Sequence, residues 1–275
     1  MDITRQIKRL FPKRKIGHGG TLDPFACGVL PIAVGEATKL LPWLMQKPKT
    51  YHAQMLWGQD TDTLDLTGQA LRLSAVRPSK TDVQEIMPQF MGDILQQPPM
   101  YAACKVQGVR AYKRARAHES FALSHRPMTI YDLKILQCNQ KILEFSCTCG
   151  TGTYVRSLAQ DIAHTLGTCG HLISLRRTRV GPFEESCGWS LDETGKISNK
   201  YERNLSPMHS VLDDIPELFV SPQDAEKLRQ GRTLQNATSH QGWVACFSGG
   251  QLVAMGQAED GVIHPKRVIN EIRRI

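Results

Sequence analysis

The densest chemical signal in the chain is the run Gly17-His18-Gly19-Gly20-Thr21-Leu22-Asp23-Pro24. Its glycines permit positive φ or a close backbone approach, and Pro24 biases Asp23 toward extended geometry. One reading is a turn that Asp23 caps. Composition alone favours it, because Gly, Asp and Pro are ordinary turn residues. The other is a carboxylate held rigidly at a loop tip, with His18 nearby and Lys13, Arg14 and Lys15 upstream. A second run, Gly150-Thr151-Gly152-Thr153-Tyr154-Val155-Arg156, falls where a strand pattern gives way to a helix. Arg156 then lies in or near the first helical turn, where the dipole disfavours a cation. Solvation would make that cost small. Alternatively a carboxylate compensates it, and a buried Arg–Asp pair orients the acid and keeps it ionised.

Basic residues cluster twice. Lys105, Arg110, Lys113, Arg114 and Arg116 are interleaved with Tyr101 and Tyr112, and Arg176, Arg177 and Arg179 form a shorter run. Most charge runs are solvated faces. The first has few acids until Glu119 and the second is also acid-poor, which suits phosphate contacts to a nucleic acid. There is no P-loop, G-x-G-x-x-G or G-x-S-x-G. Asp60, Asp62 and Asp65 lack the Gly and Glu of a calcium loop, so 60–65 reads as a plain loop. The eight cysteines include no C-x-x-C pair and no Cys/His grouping with ligand spacing. Zinc is not expected, and scattered thiols fit a reducing, cytoplasmic compartment.

These residues need elements to position them. Ile3, Ile7, Leu10 and Phe11 share a helical face. Residues 29–34 read as a short buried strand, 37–45 as a short helix or irregular segment, and 50–57 as a strand. Val83, Ile86, Met87, Phe90 and Met91 mark a helix that Gly92 stops. Residues 94–107 read as extended and 109–117 as a basic helix. Residues 128–137 and 142–149 form a hairpin around Asn139-Gln140, with Leu143, Phe145, Cys147 and Cys149 on one face. Val155, Leu158, Ala159, Ile162, Ala163 and Leu166 mark the clearest helix, which Gly167 ends. Residues 171–180 read as a strand. Residues 191–205 read as a connection, followed by a helix over 222–230 and strands near 243–247 and 251–256. Strands and helices interleave without regular βαβ spacing. The expected class is therefore α+β, a mixed, mainly antiparallel sheet flanked by helices, with a small β-rich C-terminal domain. The boundaries expected are 1–215 and 216–275.

The 275 residues are 41% hydrophobic, which excludes a largely disordered chain. Net charge is +8, suggesting a polyanionic partner without requiring one. No apolar run approaches the roughly 20 residues that span a bilayer. Residues 1–15 hold six Lys or Arg and no apolar block, so no secretory signal is read there.

Taken together, several segments resemble one family. The run from Gly17 to Pro31, continuing to Gly35-Glu36-Ala37-Thr38-Lys39, closely resembles the catalytic motif of the TruB family of tRNA pseudouridine synthases. Further matches follow in order: Lys49-Thr50-Tyr51, Gly58-Gln59-Asp60-Thr61-Asp62-Thr63, Gln97-Pro98-Pro99-Met100-Tyr101, Gly108-Val109-Arg110-Ala111-Tyr112, Gly152-Thr153-Tyr154-Val155-Arg156 and Leu175-Arg176-Arg177-Thr178. The likeness covers about residues 1–215, and the tail is more loosely similar to a PUA-type RNA-binding domain. Two departures stand out. The chain starts almost at its first helix, without the strand and Lys-Pro-x-Gly-type segment usual in the family, and Gly19 stands where Thr is common.

The resemblance implies isomerisation of uridine to pseudouridine at position 55 in the tRNA T-loop. It implies a pseudouridine synthase fold, no metal or redox cofactor, a tRNA T-stem-loop partner, no membrane, no obligate protein partner and a monomer by default. Asp23 matches the nucleophile; attack at ribose C1′, attack at uracil C6 and a glycal-forming elimination all stay open. Tyr51 matches the tyrosine that stacks on the target base and serves in proton transfer, and Arg156 the partner of the Asp. Tyr154 and Leu175 match pocket walls, and His18 a residue holding the flipped-out loop. Gly20, Lys105, Arg110 and Arg176 join the expected substrate contacts. Extruding a stacked base costs a few kcal/mol, of order, and stacking on an aromatic ring returns about 1–3 kcal/mol. Two rivals stand beside this reading: a tRNA-elbow chaperone with weak or no catalysis, and a guide-RNA-dependent synthase subunit. The intact Asp23, Tyr51 and Arg156 argue against the first, and the short tail against the second.

Overall fold

A computed structural model describes residues 3–102, 104–106, 108–117, 119, 121, 123–191 and 205–270. The chain divides into two compact units, Thr21–Val29 with Gln46–Ser186, and Met1–Gly20 with Leu30–Met45 and Cys187–Ile275.

The first of these is built on one mixed sheet. In spatial order its strands are Phe183–Glu184, Gly170–Val180, Lys49–Trp57, Ile142–Cys149, Arg126–Cys138 and Gly92–Gln96, all antiparallel neighbours. The short strand Cys27–Gly28 adds to Gly170–Val180 in parallel. The period-two pattern of 142–149 is realised. Leu143, Phe145, Cys147 and Cys149 are buried, and the intervening residues are half-buried. Against that face packs the helix Val155–Thr165, through Leu158, Ala159, Ile162 and Ala163. Full burial of Leu158 and Ile162 stabilises the unit by about 1.5–3 kcal/mol each. The helix stops where Gly167 turns to φ 69°, a conformation that suits a residue without Cβ. Between strands Gly92–Gln96 and Arg126–Cys138, paired at Gln96 and Arg126, the chain makes a long excursion that holds the basic helix Ala111–Arg116.

The other unit begins with the helix Ile3–Leu10, which buries Ile7, while Phe11 just beyond it is also buried. Strand Ile16–His18 pairs with Ile32–Val34, and a 3-10 turn, Gly35–Leu40, leads into the helix Leu41–Gln46. Its C-terminal part is a four-stranded sheet, Glu217–Phe219, Gly242–Ser248, Gln251–Glu259 and Val262–Val268. The helix Pro222–Arg229 covers it with Ala225 and Leu228, and Ser221 caps that helix by accepting from Asp224 N at 3.1 Å. Within the unit the two sequence regions are stitched together. Lys39 Nζ donates to Glu36 Oε2 at 2.8 Å and to Val268 O at 2.7 Å, and Trp43 meets Trp243 edge to face.

The α+β expectation holds. The sequence reading missed Glu217–Phe219 and Val262–Val268, short or Pro-interrupted strands with weak alternation. It also read 60–65 as a plain loop, whereas Gln59–Thr61 pairs with Ala70–Leu73. Most of the expected 191–205 connection lies outside the described residues. Among the described residues no helix is long and apolar enough to cross a membrane.

Candidate active site

Arg156 sits in the first turn of Val155–Thr165 and is 4% exposed. The helix start is fixed by a side chain from the sheet edge. Gln96 Nε2 donates to Tyr154 O at 3.1 Å, and Tyr154 N donates to Gln96 Oε1 at 2.8 Å. Ser157 Oγ donates to Gln97 O at 2.8 Å. The guanidinium is thereby aimed at four acceptors. Nη1 donates to Thr63 O at 2.9 Å and to Asp65 Oδ2 at 3.2 Å. Nη2 donates to Asp23 Oδ1 at 3.1 Å and to Tyr101 O at 3.2 Å. Nε lies 2.9 Å from Asp23 Oδ2 as an ion contact, with its N–H not aligned for a hydrogen bond. Two carboxylates thus compensate a cation that the helix dipole disfavours.

Asp65 is the deeper of the two acids, 3% exposed. Its Oδ1 accepts from Thr63 Oγ1 at 2.7 Å, Thr67 N at 2.9 Å and the Thr67 hydroxyl, leaving Oδ2 for Arg156. Asp23 is partly open, its side chain 34% exposed. Burial pushes the Asp23 carboxyl above its ordinary range, Arg156 opposes that, and the nearby Asp65 charge adds to it. The Arg–Asp pair forms as the sequence suggested. Arg156 orients Asp23 and pulls its pKa down, but burial outweighs that pull and the net direction is up.

The loop bearing Asp23 is pinned behind it. Ala26 N donates to Asp23 O at 2.9 Å, and Val29 N to Arg177 O at 2.7 Å. Gly28 has φ 104°, and a Cβ there would collide with the Arg177 carbonyl oxygen. Glycine is required at that close approach.

Tyr51 stands on the central strand, paired with Cys147 on one side and Arg177 on the other, and packs against the core. Burial raises its phenol pKa and the Asp23 charge adds to that, so Tyr51 is a neutral hydrogen-bond donor at neutral pH. Leu175 is buried two residues before Arg177 on the next strand. Tyr154 caps the helix start with its backbone, and burial pushes its phenol up to about 12. Near Tyr51, Lys49 is buried, its Nζ 2.9 Å from Thr151 Oγ1, and burial lowers its pKa to about 8.

The expected residues are not all gathered here. Asp23 and Arg156 touch, and Asp23 and Arg177 both act electrostatically on Tyr51. Arg176 points away to solvent, 52% exposed, with Nε 2.6 Å from Glu185 Oε1. Arg179 lies 3.7 Å from Glu184, and Arg177 is buried. The 176–179 run is therefore no uniform acid-poor surface. Lys105 and Arg110 pair through their backbones, and their side chains lie outside the described ones. His18 and Gly20 belong to the other unit. His18 is on the strand Ile16–His18, its Nδ1 buried with no partner among the described residues, and Gly20 has φ 119°. The sequence reading missed Asp65 and Gln96. A helix start with an unexplained Arg was the only signal pointing to such partners. Among the described residues no group of three or more His, Cys, Asp or Glu could hold a metal ion.

Comparison with known proteins adds a family. Residues 8–155 match the TruB family pseudouridylate synthase N-terminal domain, and 156–216 the tRNA pseudouridylate synthase B C-terminal domain. Residues 216–269 match the pseudouridine synthase II TruB C-terminal model. The chain is 42% identical to the tRNA pseudouridine synthase B of Caulobacter vibrioides, over 96% of this chain and 89% of that protein. It is 38% identical to the protein of the same name from Rhodospirillum rubrum, over 98% and 92%. Among solved structures, its fold is similar to a chain in an H/ACA ribonucleoprotein bound to a substrate RNA containing 2′-deoxyuridine. The TM-score is 0.73 at 23% identity, covering 98% of this chain and 80% of that one. A chain in a Cbf5-Nop10-Gar1 complex is similar at TM-score 0.73 and 24% identity, with the same coverage.

Proposed function

The chain belongs to the TruB family of pseudouridylate synthases, and from that premise we propose that it isomerises uridine to pseudouridine in tRNA, at position 55 of the T-loop. The observation that carries this reading is a partly open carboxylate, Asp23, held from behind by a buried Arg156 and flanked by Tyr51. The reaction breaks the C1′–N1 bond of the uridine and forms a C1′–C5 bond. The C5 hydrogen leaves to solvent, and N1 gains a proton. The base must leave its stack for the carboxylate to reach it.

In this reading Asp23 is the nucleophile and Arg156 fixes its direction. Two anchored oxygens restrict rotation of the carboxyl, so the reacting geometry is built before substrate arrives. Tyr51 stacks on the flipped uracil and presents a neutral hydroxyl. Leu175 and Tyr154 wall the pocket. His18, Gly20, Lys105, Arg110 and Arg176 contact the RNA. The raised pKa of Asp23 fits a carboxyl in a site that excludes water, and it sets a sign for pH dependence. Nucleophilic attack needs the ionised form, so the acid limb of the rate profile falls above the ordinary carboxylate range.

We assign catalysis to residues 1–215 and RNA binding to a PUA-like segment, 216–275. The protein acts alone, as a cytoplasmic monomer. The excursion holding Ala111–Arg116 supplies phosphate contacts, which carry no base sequence and leave specificity to RNA shape and the splayed base. The test is carbodiimide mapping of an unmodified tRNA transcript after incubation with the purified protein. A single new modification-dependent stop at position 55 is expected. No stop, with the tRNA still bound, would replace this reading with the chaperone one.

A further inference from the structure

The spacing of Ile3, Ile7 and Leu10 puts them on one side of the helix Ile3–Leu10, where Ile7 and the following Phe11 are buried. Arg5, Lys8 and Arg9 are left together on the other side, all exposed. Just beyond, Lys13, Arg14 and Lys15 are exposed as well, in a turn where Lys13 has φ 65°. Residues 3–22 contain no Asp or Glu. None of the six side chains makes an ion pair or a hydrogen bond among the described residues. The helix Pro222–Arg229, of the same length and in the same unit, is built differently. There Lys227 lies 2.8 Å from Asp224 and Arg229 lies 3.8 Å from Glu226, each pair three residues apart. Lys8 and Arg9 suit the dipole at the end of their helix. Arg5 in the first turn does not, and cations three and four residues apart repel one another. No described residue compensates that repulsion.

We propose that this stripe, Arg5, Lys8 and Arg9 continued by Lys13, Arg14 and Lys15, is a second RNA-backbone surface that takes the phosphates of a helical RNA stem. It belongs to the unit that does not carry Asp23, and it is separate in sequence from the excursion around Ala111–Arg116. The proposal rests on the isomerase reading for the identity of the RNA, a tRNA. Unpaired cations select an anion, and their arrangement in a row selects a polyanion. Helical turns repeat about every 5.4 Å, so Arg5 and the Lys8-Arg9 pair present charge one turn apart to successive phosphates. No exposed aromatic ring interrupts the row, since Phe11 is buried, so unpaired bases find no stacking platform there. The backbone of a paired stem fits instead, and contacts to it fix position without reading base sequence. An anionic bilayer fits less well, because the apolar side of the helix is already packed inward.

The test compares wild type with the triple variant Arg5→Gln, Lys8→Gln, Arg9→Gln. A control triple, Lys80→Gln, Lys134→Gln, Lys141→Gln, removes the same charge from other exposed positions. Binding of an unmodified tRNA transcript is measured by filter retention across a salt series. Each phosphate contact contributes about 0.7–0.9 to the slope of log K against log salt. The stripe variant should flatten that slope by about 2–3 and weaken binding about tenfold or more at low salt, with the control near wild type. A wild-type slope in the stripe variant, or equal flattening in the control, would overturn the proposal. In steady state KM should rise while kcat stays within about twofold, the mark of lost uniform binding. The melting temperature should hold or rise, because like charges leave one helix face; a fall of several degrees would show that the cations serve the fold, against the proposal. A plain RNA duplex without a T-loop should show the same loss of slope, and a loss confined to single-stranded RNA would refute the stem. Capture by phosphatidylserine vesicles that is lost in the stripe variant while its tRNA binding is intact would assign the surface to lipid instead. If wild type binds tRNA with a steep slope and releases no product, the isomerase reading fails, while the slopes still decide the surface.

Discussion

The two ends of one helix, Val155–Thr165, each face an aspartate, and they hold it in opposite ways. At the N-terminal end Arg156 faces Asp23 and Asp65. At the C-terminal end His164 Nε2 lies 2.9 Å from Asp60 Oδ2, whose carboxyl also takes Gly170 N at 3.0 Å and Arg72 Nε at 3.1 Å. Burial pushes Asp60 up, but hydrogen bonds from His164 and Gly170 outweigh it and leave its pKa below the ordinary value. Burial pushes Asp23 up as well, and there the single shared cation does not reverse it. Asp60 is a satisfied structural acid, with donors on both oxygens. In the proposed mechanism Asp23 is the reactive one, held in direction by Arg156. Burial acts on both carboxyls, and they differ in the donors that oppose it: His164, Gly170 and Arg72 on Asp60, Arg156 alone on Asp23.

The contrast breaks most sharply at Asp23. Asp23→Asn is expected to cut isomerisation by about 1000-fold or more, as removal of a reacting nucleophile does. Its effect on stability runs the other way. With the folded pKa raised, the carboxyl favours folding below its unfolded pKa, and that contribution is lost as pH rises through the folded value. Asp23→Asn should therefore leave the melting temperature equal or higher at pH 7. A drop of several degrees would contradict the account.

Asp65→Asn should come next. It leaves the buried Arg156 with one full carboxylate, and rate should fall about 100-fold through misdirection of Asp23. Stability should fall with it, by about 1–3 kcal/mol for the disturbed buried hydrogen bonds, read by urea titration. Asp60→Asn should show the stability loss, again about 1–3 kcal/mol at pH 7, without the loss in rate. Its folded pKa is lowered, so the stabilisation is present above the unfolded pKa and disappears as pH falls through the folded one. The smallest effect is expected at Asp161, on the same helix, whose carboxyl burial raises to about 6. Ionising it costs stability as pH rises toward and past that value. Asp161→Asn should gain about 1 kcal/mol at pH 8, after solvent screening of a partly exposed group. The gain should vanish in acid, and a gain that persists there would reassign its cause.

Which parts of this arrangement were legible in the sequence follows from how each is encoded. The helix after residue 154 and the 142–149 strand carry strong periods, because one face of each is wholly buried, and both fell where the pattern placed them. The run around Asp23 was conspicuous through its glycines and proline. The position of Arg156 at a helix start was a local conflict that required a long-range partner, and the pair with Asp23 resolves it over 133 residues of chain. Asp65 was invisible because a short polar stretch of Thr and Asp reads as solvated loop, while here the threonines spend their hydroxyls on a buried carboxylate. Arg177 was grouped with its neighbours as surface charge. Three arginines in four residues carry no apolar alternation, so no period told which one points inward. Gln96 likewise gives no signal, since its two hydrogen bonds go to the backbone of a residue 58 positions away.

The most direct test of the central claim is tritium release from 5-tritiated uridine in an unmodified tRNA transcript, with wild type, Asp23→Ala and Asp60→Asn measured side by side at matched folded concentrations. Release by wild type and Asp60→Asn, with none from Asp23→Ala, is the predicted result. Release that survives in Asp23→Ala, or that is lost equally in both variants, would contradict the division between a reactive and a structural aspartate.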